Sequence, residues 1–215
     1  MKNTFRIGSL VTCCLGLVAL SEVARSQGIY FNANAGAAFA EDVDVHRFVS
    51  PTPNRKFELN TGGRLSVAGG YNFNEFLGAQ LETGFIYNEV KGSHGDAVLS
   101  HVPMLASIVL RCDKTDCKFV PYLGAGAGGD VSIISLDRVR EPGGGVVDGS
   151  AGDVVFAWQA FAGLRYKFTD KMSIGGGYKF YSAEGATWDI RHTSGDIKTG
   201  TAHIHSVVVD FTIQF

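Results

Sequence analysis

Three features of the sequence predict an all-β fold, an eight-stranded antiparallel up-and-down transmembrane β-barrel. Several segments alternate apolar and polar residues with a period of two, which is the pattern of a β-strand with two different faces. The connections between these segments alternate between short turns and long polar stretches. Aromatic residues gather at the ends of the segments, where the two interfaces of a membrane barrel place them.

The composition of the chain excludes several other classes of protein. Of the 215 residues, 45% are hydrophobic and 19% are charged, so the chain can bury a core and is not disordered. The formal net charge of -2 provides no positive surface for nucleic acid. After residue 26, no uncharged run reaches the ~18 residues that would indicate a transmembrane helix.

The beginning of the chain has the pattern of a secretory signal peptide. A basic start is followed by the uncharged run 7–20 and by small residues that end at Ser26. We therefore expect cleavage of residues 1–26, which leaves a barrel domain at 27–215. A lipoprotein site at Cys13 is the weaker alternative, because it would cut the apolar run midway.

Eight segments carry the strand pattern. Five alternate most clearly, with one apolar or aromatic face and one face of Gly, polar or charged residues: 56–71, 77–87, 156–167, 172–180 and 206–215. Three further segments fit the same scheme less cleanly: 29–39, 98–111 and 118–130. Pro103 lies inside one of these and lacks the N–H group of a ladder hydrogen bond.

The connections differ in length from one end of the predicted sheet to the other. Short turns rich in Asn and Asp are predicted at 71–75, 112–117 and 168–171. Long polar connections are predicted at 40–56, 88–97, 131–153 and 185–200. The third of these should be the least ordered, because it carries Pro142 and a run of glycines.

Alternation alone fits a soluble sandwich as well as a membrane barrel, so other features must decide whether the apolar face packs in a protein core or contacts lipid. The aromatic residues at strand ends favour the barrel: Tyr71, Phe73, Tyr87, Tyr166, Phe168, Phe180 and Tyr181. The lumen of an eight-stranded barrel is only wide enough for side chains, and a buried charge must be paired. We therefore expect the inward charges to form a closed ion-pair network that plugs the lumen: Arg64, Glu82, Arg165, Lys179 and Asp210.

The last strand carries a resemblance to a known family. Its apolar face resembles the terminal strand of Gram-negative outer-membrane barrels: Val207, Val209, Phe211, Ile213 and Phe215. The segments 121–128 and 163–170 are similar to parts of the opacity-protein/OmpA/OmpX-like barrel family. The resemblance implies a location in the outer membrane after export through the periplasm, contact with outer-membrane lipid, and recognition of the last strand by the barrel-insertion machinery. We expect no peptidoglycan-binding domain after the barrel, which would be a departure from full OmpA.

One glycine motif formally matches a dinucleotide-binding fingerprint. Gly124, Gly126 and Gly129 have the required spacing, but the motif works only where a strand turns into a helix. The residues that follow have no helical period, so we expect the glycines to lie in a crowded barrel wall and expect no cofactor.

Histidine residues are the other candidates for chemistry. His203 and His205 share one face of the last predicted strand, but no third or fourth ligand accompanies them, so we expect no metal site. Lipid A deacylases resemble this barrel architecture and use a lipid-facing His and Ser. Here His205 and Ser206 point to opposite faces by strand alternation, which places them wrongly for base and nucleophile. We therefore expect no catalytic residues and no enzyme.

Two cysteines remain after the predicted signal peptide. Cys112 and Cys117 bracket a short polar turn at the predicted periplasmic end. Two thiols joined by a short loop in an oxidising compartment predict a disulfide. The spacing is not Cys-x-x-Cys, which disfavours a redox or metal site.

The sequence-based hypothesis for function is a non-enzymatic surface barrel. Its four long extracellular loops would serve adhesion, recognition or envelope integrity through an unknown extracellular ligand, because binding residues concentrate in loops. The alternatives are a narrow channel for ions or small solutes and, less favoured, a lipid A-modifying hydrolase.

Overall fold

The structure of the protein is a computed structural model that describes residues 27–47, 55–91, 96–113, 117–140, 146–189 and 196–215. The predicted signal peptide lies outside these residues. No helix among the residues described is long and apolar enough to span a membrane.

Twelve strands occur in the described part of the chain. In chain order they are β1 (Gly28–Ala40), β2 (Val43–Arg47), β3 (Arg55–Phe57), β4 (Gly62–Asn72), β5 (Leu77–Glu89), β6 (Asp96–Arg111), β7 (Phe119–Arg140), β8 (Val146–Lys167), β9 (Met172–Ala183), β10 (Thr187–Asp189), β11 (Asp196–Thr199) and β12 (Ala202–Gln214). Eight of them form a closed barrel in the order β1-β12-β9-β8-β7-β6-β5-β4. The four short strands form a separate sheet in the order β10-β11-β2-β3.

The predicted fold class is confirmed: the barrel is closed, and every pair of neighbouring strands in it is antiparallel. Closure is made by β1, which pairs with the last strand on one side and with β4 on the other. Asn32, for example, lies opposite Thr212 and opposite Ala68. The barrel therefore has no free sheet edge in its wall.

The two ends of the barrel differ, as predicted. At one end, here called the turn end, short connections at 73–76, 112–118 and 168–171 join the strands. The opposite end, here called the loop end, carries the other connections and the four-stranded sheet. The predicted segment 56–71 is divided there, because β3 joins that sheet and β4 begins only at Gly62.

The prediction of a long, poorly ordered loop at 131–153 is wrong. Strands β7 and β8 continue through most of this stretch and pair from Phe119↔Tyr166 as far as Arg140↔Val146. The alternation of residue types around Val131 and Ile133 continues the strand pattern of β7. The backbone groups of β7 and β8 are hydrogen-bonding partners along this stretch. Only 141–145, which holds the glycine run, lies outside the described residues. Strands also occupy parts of 40–56 and 185–200.

The outer surface of the barrel is apolar. The side chains of Leu81, Ile108 and Val209 are 71%, 62% and 60% exposed, although they lie in the middle of strands. The neighbouring inward positions hold buried polar residues such as Glu82 and Asp210. This distribution is the reverse of a soluble protein and matches a wall that contacts acyl chains.

The loop end is closed by an apolar cluster, here called the cap core. Its buried members come from six strands and their connections: Val43, Leu59, Ala97, Leu99, Ile134, Leu136, Ala186, Trp188, Ile197 and Ala202. The indole of Trp188 is 1% exposed and donates a hydrogen bond to the carbonyl of Ser132 at 3.0 Å. The cap core thus joins the four-stranded sheet to the extended β6, β7 and β12 strands.

The predicted disulfide is not formed in the structure, in which Cys112 and Cys117 are both free. The amide of Cys112 continues the β6–β7 ladder through a hydrogen bond to the carbonyl of Pro121 at 3.1 Å. The thiol of Cys117 is exposed and instead donates to the carbonyl of Phe119 at 3.1 Å.

Replacement of Leu81 by Arg should lower the free energy of unfolding of the vesicle-embedded protein by about 2–4 kcal/mol, because a charge then lies near the middle of the lipid-facing wall. Urea unfolding in vesicles measures the change. The matched control is Glu75→Arg in an exposed turn, for which we expect a change within about 0.5 kcal/mol. Equal effects of the two substitutions would contradict a lipid-facing wall.

Candidate functional site

The lumen holds the main concentration of polar side chains, and the structure places all five predicted charged residues there. The carboxylate of Glu82 lies 3.1 Å from Nη2 of Arg64 and 2.6 Å from Nζ of Lys179. These three side chains are at most 7% exposed. One carboxylate therefore balances two cations in the middle of the barrel, where a buried charge needs close partners.

Two glutamines complete this group, and the sequence analysis missed them. Nε2 of Gln159 donates to Glu82 at 3.0 Å, and Oε1 of Gln159 accepts from Arg64 at 2.8 Å. Nε2 of Gln80 donates to Glu82 at 3.3 Å, and its carbonyl accepts from the hydroxyl of Tyr30 at 2.9 Å. Their inward strand positions could have been predicted, but the choice of partner depends on how the wall curves.

The other two predicted residues form a second group nearer the turn end. Nε of Arg165 donates to Asp210 at 2.7 Å, and the guanidinium lies 4.1 Å from the ring centre of Tyr122. Asp210 also accepts from the hydroxyl of Tyr122 at 3.0 Å and from Nδ2 of Asn32 at 3.2 Å. The three cations are thus divided between two carboxylates: Glu82 pairs with Arg64 and Lys179, and Asp210 pairs with Arg165.

The mouth of the barrel at the turn end carries a third set of charges that the sequence analysis did not single out. Asp113 lies 2.6 Å from Nζ of Lys167 and 3.3 Å from Nη1 of Arg111. Arg111 also donates to the carbonyl of Asn74 at 3.0 Å, which ties this set to a neighbouring turn.

Toward the loop end the lumen becomes apolar. A buried cluster fills it above the Glu82 group: Ala38, Ile86, Leu105, Ala157, Tyr181, Ala183 and Ile204. Next to the ring of Tyr181, Nδ1 of His101 lies 2.7 Å from Oδ2 of the buried Asp130. The cap core follows. Side chains therefore fill the lumen in successive polar and apolar layers.

The remaining candidates of the sequence analysis lie in the wall. Gly126 faces β6 so closely that a Cβ atom would lie 2.1 Å from Oγ of Ser107, and β7 continues as a strand after Gly129, without the helix that a dinucleotide site requires. Ser206 is buried, whereas His205 is 36% exposed on the outer wall. Within the described ranges, no group of three or more His, Cys, Asp or Glu side chains could hold a metal ion.

Replacement of Glu82 by Gln should lower the free energy of unfolding by about 3–5 kcal/mol, because both cations then lose their shared carboxylate inside the barrel. Lys179→Met should cost less, since Glu82 keeps Arg64 as its partner. Urea unfolding of each variant in vesicles measures the difference, with Lys171→Met in an exposed turn as the control. A larger cost for Lys179→Met than for Glu82→Gln would contradict this account of the charge balance.

Comparisons with known proteins agree with this architecture. The family model of the outer membrane protein beta-barrel domain matches residues 10–211. No curated protein matches the sequence. Among solved structures, Neisserial surface protein A aligns with a TM-score of 0.56 at 16% identity, over 87% of this chain and 97% of that one.

Two further barrels share the fold at low sequence identity. The outer membrane protein OprG from Pseudomonas aeruginosa aligns with a TM-score of 0.55 at 12% identity, over 88% of this chain and 98% of that one. A major outer membrane protein from Thermus thermophilus gives a TM-score of 0.52 at 11% identity, over 87% and 99%. Because the family model spans nearly the whole barrel, whose outer wall is apolar, the chain belongs to the outer-membrane protein β-barrel family and resides in the outer membrane.

Proposed function

We propose that the protein is a non-enzymatic surface barrel whose loop end faces the outside of the cell and serves adhesion, recognition or envelope integrity. Short turns face the periplasm in barrels of this class, and longer connections face outward, which supports this orientation. The observation that carries the proposal is the filled lumen, which leaves the loop end as the part of the protein that is free to contact a partner.

The filling of the lumen supports a closed barrel over a channel. An ion that crossed it would have to separate Glu82 from Lys179 and Arg64, and would then meet the apolar layer around Tyr181 and Ile204. Moving a charge through such a layer is costly unless it is paired. The cap core adds a second apolar barrier at the loop end.

The ordered sheet at the loop end supports a role in recognition. Strands β2, β10 and β11 turn residues such as Val43, Trp188 and Ile197 into the cap core, while Asp44 and Lys198 are exposed to solvent. A surface that is already ordered loses less conformational entropy when it binds a partner. The ligand of this surface would be extracellular.

Export and insertion belong to the same proposal. We expect residues 1–26 to be removed as a signal peptide and the insertion machinery to read the last strand. Val207, Val209 and Phe211 present an apolar outer face, and their strand closes the barrel against β1. Because this strand pairs with β1 only when the barrel closes, its apolar face and its edge are available to the insertion machinery before closure.

The wild-type protein should give no steady ion-selective conductance in planar bilayers, because the charged groups and the apolar layer close the lumen. Single-channel recording checks this, with a water-filled porin inserted under the same conditions as the control for reconstitution. Stable, ion-selective current steps from the wild-type protein would favour the narrow channel and contradict the closed barrel.

Removal of the four-stranded sheet should weaken surface binding while the barrel remains folded. The variant replaces 43–57 and 185–200 with short Gly/Ser turns and is displayed on a Gram-negative host that lacks its own adhesins. Adhesion to cultured epithelial cells and to immobilised extracellular-matrix protein is measured, and a heat-dependent mobility shift in SDS confirms the barrel. Equal adhesion by the wild-type protein and a folded variant would contradict a role for this sheet.

A further inference from the structure

The outer wall carries an open apolar groove near the turn end, here called the turn-end groove. Its volume is about 290 Å³, and five outward side chains of four neighbouring strands line it: Phe119, Leu164, Tyr166, Ile174 and Val209. All five are exposed, so the groove opens toward the acyl chains of the membrane. It is therefore a depression in the lipid-facing surface and is separate from the filled lumen.

One glycine accounts for the groove. Gly176 on β9 lies opposite Leu164 on one side and opposite Val209 on the other, so the wall has no side chain between these two residues. A Cβ atom at Gly176 would come no closer than 3.8 Å to any atom outside the adjoining residues. At Gly177, which faces the lumen, a Cβ atom would lie 2.5 Å from the hydroxyl of Tyr122. Packing thus requires a glycine at position 177 but not at 176, where space is left open on the outside.

The groove begins at the edge of the apolar band. Phe119 and Tyr166 pair across β7 and β8 at its turn-end side, and their ring centres are 5.3 Å apart. Lys118 and Lys167 follow directly toward the turns. Aromatic rings at this boundary lie at the level of the lipid headgroups in membrane barrels. In the orientation proposed above, this level belongs to the periplasmic leaflet, which is made of glycerophospholipids.

Two exposed lysines border the groove at this level. Lys118 is adjacent to Phe119 in sequence, and its carbonyl accepts a hydrogen bond from the amide of Lys167 at 2.8 Å. Lys171 lies at the rim of the barrel just before β9, where its carbonyl accepts from the amide of Gln214 at 2.8 Å. The two backbones are thereby fixed on opposite sides of the groove. The flexible four-carbon stems let both ammonium groups reach the headgroup level.

The carboxylates near this edge leave the two lysines in excess. Asp113 is largely buried and contacts Lys167 and Arg111 at the mouth of the lumen, so its charge is directed inward. Asp170 is exposed in the same turn as Lys171. Among the described residues that border the groove, two ammonium groups therefore accompany one carboxylate.

We propose that the turn-end groove binds an anionic glycerophospholipid of the periplasmic leaflet. One acyl chain lies in the gap that Gly176 leaves between Leu164 and Val209, and the ammonium groups of Lys118 and Lys171 donate hydrogen bonds to the phosphate. Charge-assisted hydrogen bonds of this kind are stronger than neutral ones. The choice of leaflet rests on the proposed orientation, whereas binding itself does not, so the two can fail separately.

The charge at the rim selects an anionic headgroup over a zwitterionic one. Ethanolamine and choline headgroups carry the same phosphate together with a cation, and that cation would meet the ammonium groups of Lys118 and Lys171. A glycerol headgroup leaves the phosphate as the single charge. Lysines near a membrane surface favour such an anionic lipid, so phosphatidylglycerol is the probe.

Native mass spectrometry of the barrel released from detergent micelles tests this preference. The protein is mixed with equal amounts of phosphatidylglycerol, phosphatidylethanolamine and phosphatidylcholine that have identical acyl chains, and the retained lipids are counted. We expect phosphatidylglycerol to be retained about five- to twentyfold more than phosphatidylcholine, because two exposed charge pairs each contribute about two- to fivefold. Phosphatidylethanolamine should be retained as weakly as phosphatidylcholine.

The lysines are tested one at a time. Lys118→Gln and, separately, Lys171→Gln should each reduce the preference about two- to fivefold, since one charge pair is lost. The double variant should retain phosphatidylglycerol and phosphatidylcholine equally. The matched control is Lys91→Gln, which removes an exposed lysine at the loop end and should leave the preference unchanged.

A second pair of variants tests the groove. Gly176→Leu fills the gap and should lower the retention of phosphatidylglycerol about fivefold, because the acyl chain loses apolar contacts. Gly69→Leu makes the same change on β4, where a Cβ atom would also meet open space, and should leave the preference for phosphatidylglycerol unchanged. Glycerol 3-phosphate, which has no acyl chain, should not be retained.

Four results would overturn the proposal: equal retention of phosphatidylglycerol and phosphatidylcholine by the wild-type protein, a preference that survives in the double lysine variant, equal effects of Gly176→Leu and Gly69→Leu, and retention of glycerol 3-phosphate. A mobility shift on heating in SDS verifies that each variant is folded. The lysine and glycine substitutions change different parts of the site, so the test remains decisive if one variant does not fold.

Discussion

Every backbone amide in the membrane must find its partner within the protein, because hydrocarbon offers no water to bind it. This constraint explains why β1 pairs with both β12 and β4, since an open sheet would leave one row of N–H and C=O groups bare in lipid. It also requires outward side chains to be apolar, while the inward side chains are screened from lipid by the wall itself. The remaining features of the molecule follow from that division.

The second constraint on the sequence is the narrow lumen, in which every buried charge needs a partner. Glu82 is in contact with two cations and two glutamines, and Asp210 with a guanidinium, a phenol and an amide, so each of these two buried carboxylates has several partners. Small inward residues leave room for the long side chains. Gly163 and Gly177, for example, both lie so close to Tyr122 that a Cβ atom at either would meet its hydroxyl at 2.5 Å. The lumen is consequently built as a packed core with polar contents.

The sequence allowed the strands, their faces and the inward charges to be predicted, because a period of two assigns each residue to one side of a wall. Lys179 and Phe180 illustrate this, since adjacent residues point to opposite environments. The alternation of residue types does not distinguish a polar loop from strands that continue past the apolar band. The segment 131–153 was therefore predicted as a loop, although β7 and β8 continue through most of it. Partners such as Gln159 for Arg64, separated by 95 positions, depend on closure and could not be predicted from local spacing. The hydrogen bond between Glu41 and His205, which are 164 positions apart, likewise depends on closure of the barrel.

The shared cap core has a consequence for how this protein can diverge over generations. Trp188, Ile197 and Leu136 come from three different strands yet pack into one interior, so a change in any of them disturbs the whole cap core. His46 and Lys198 point away from that interior, so their exchange should disturb the cap core little. Natural variation in the four-stranded sheet should therefore collect at alternate positions of its strands, giving lineages with different exposed chemistry on an unchanged framework.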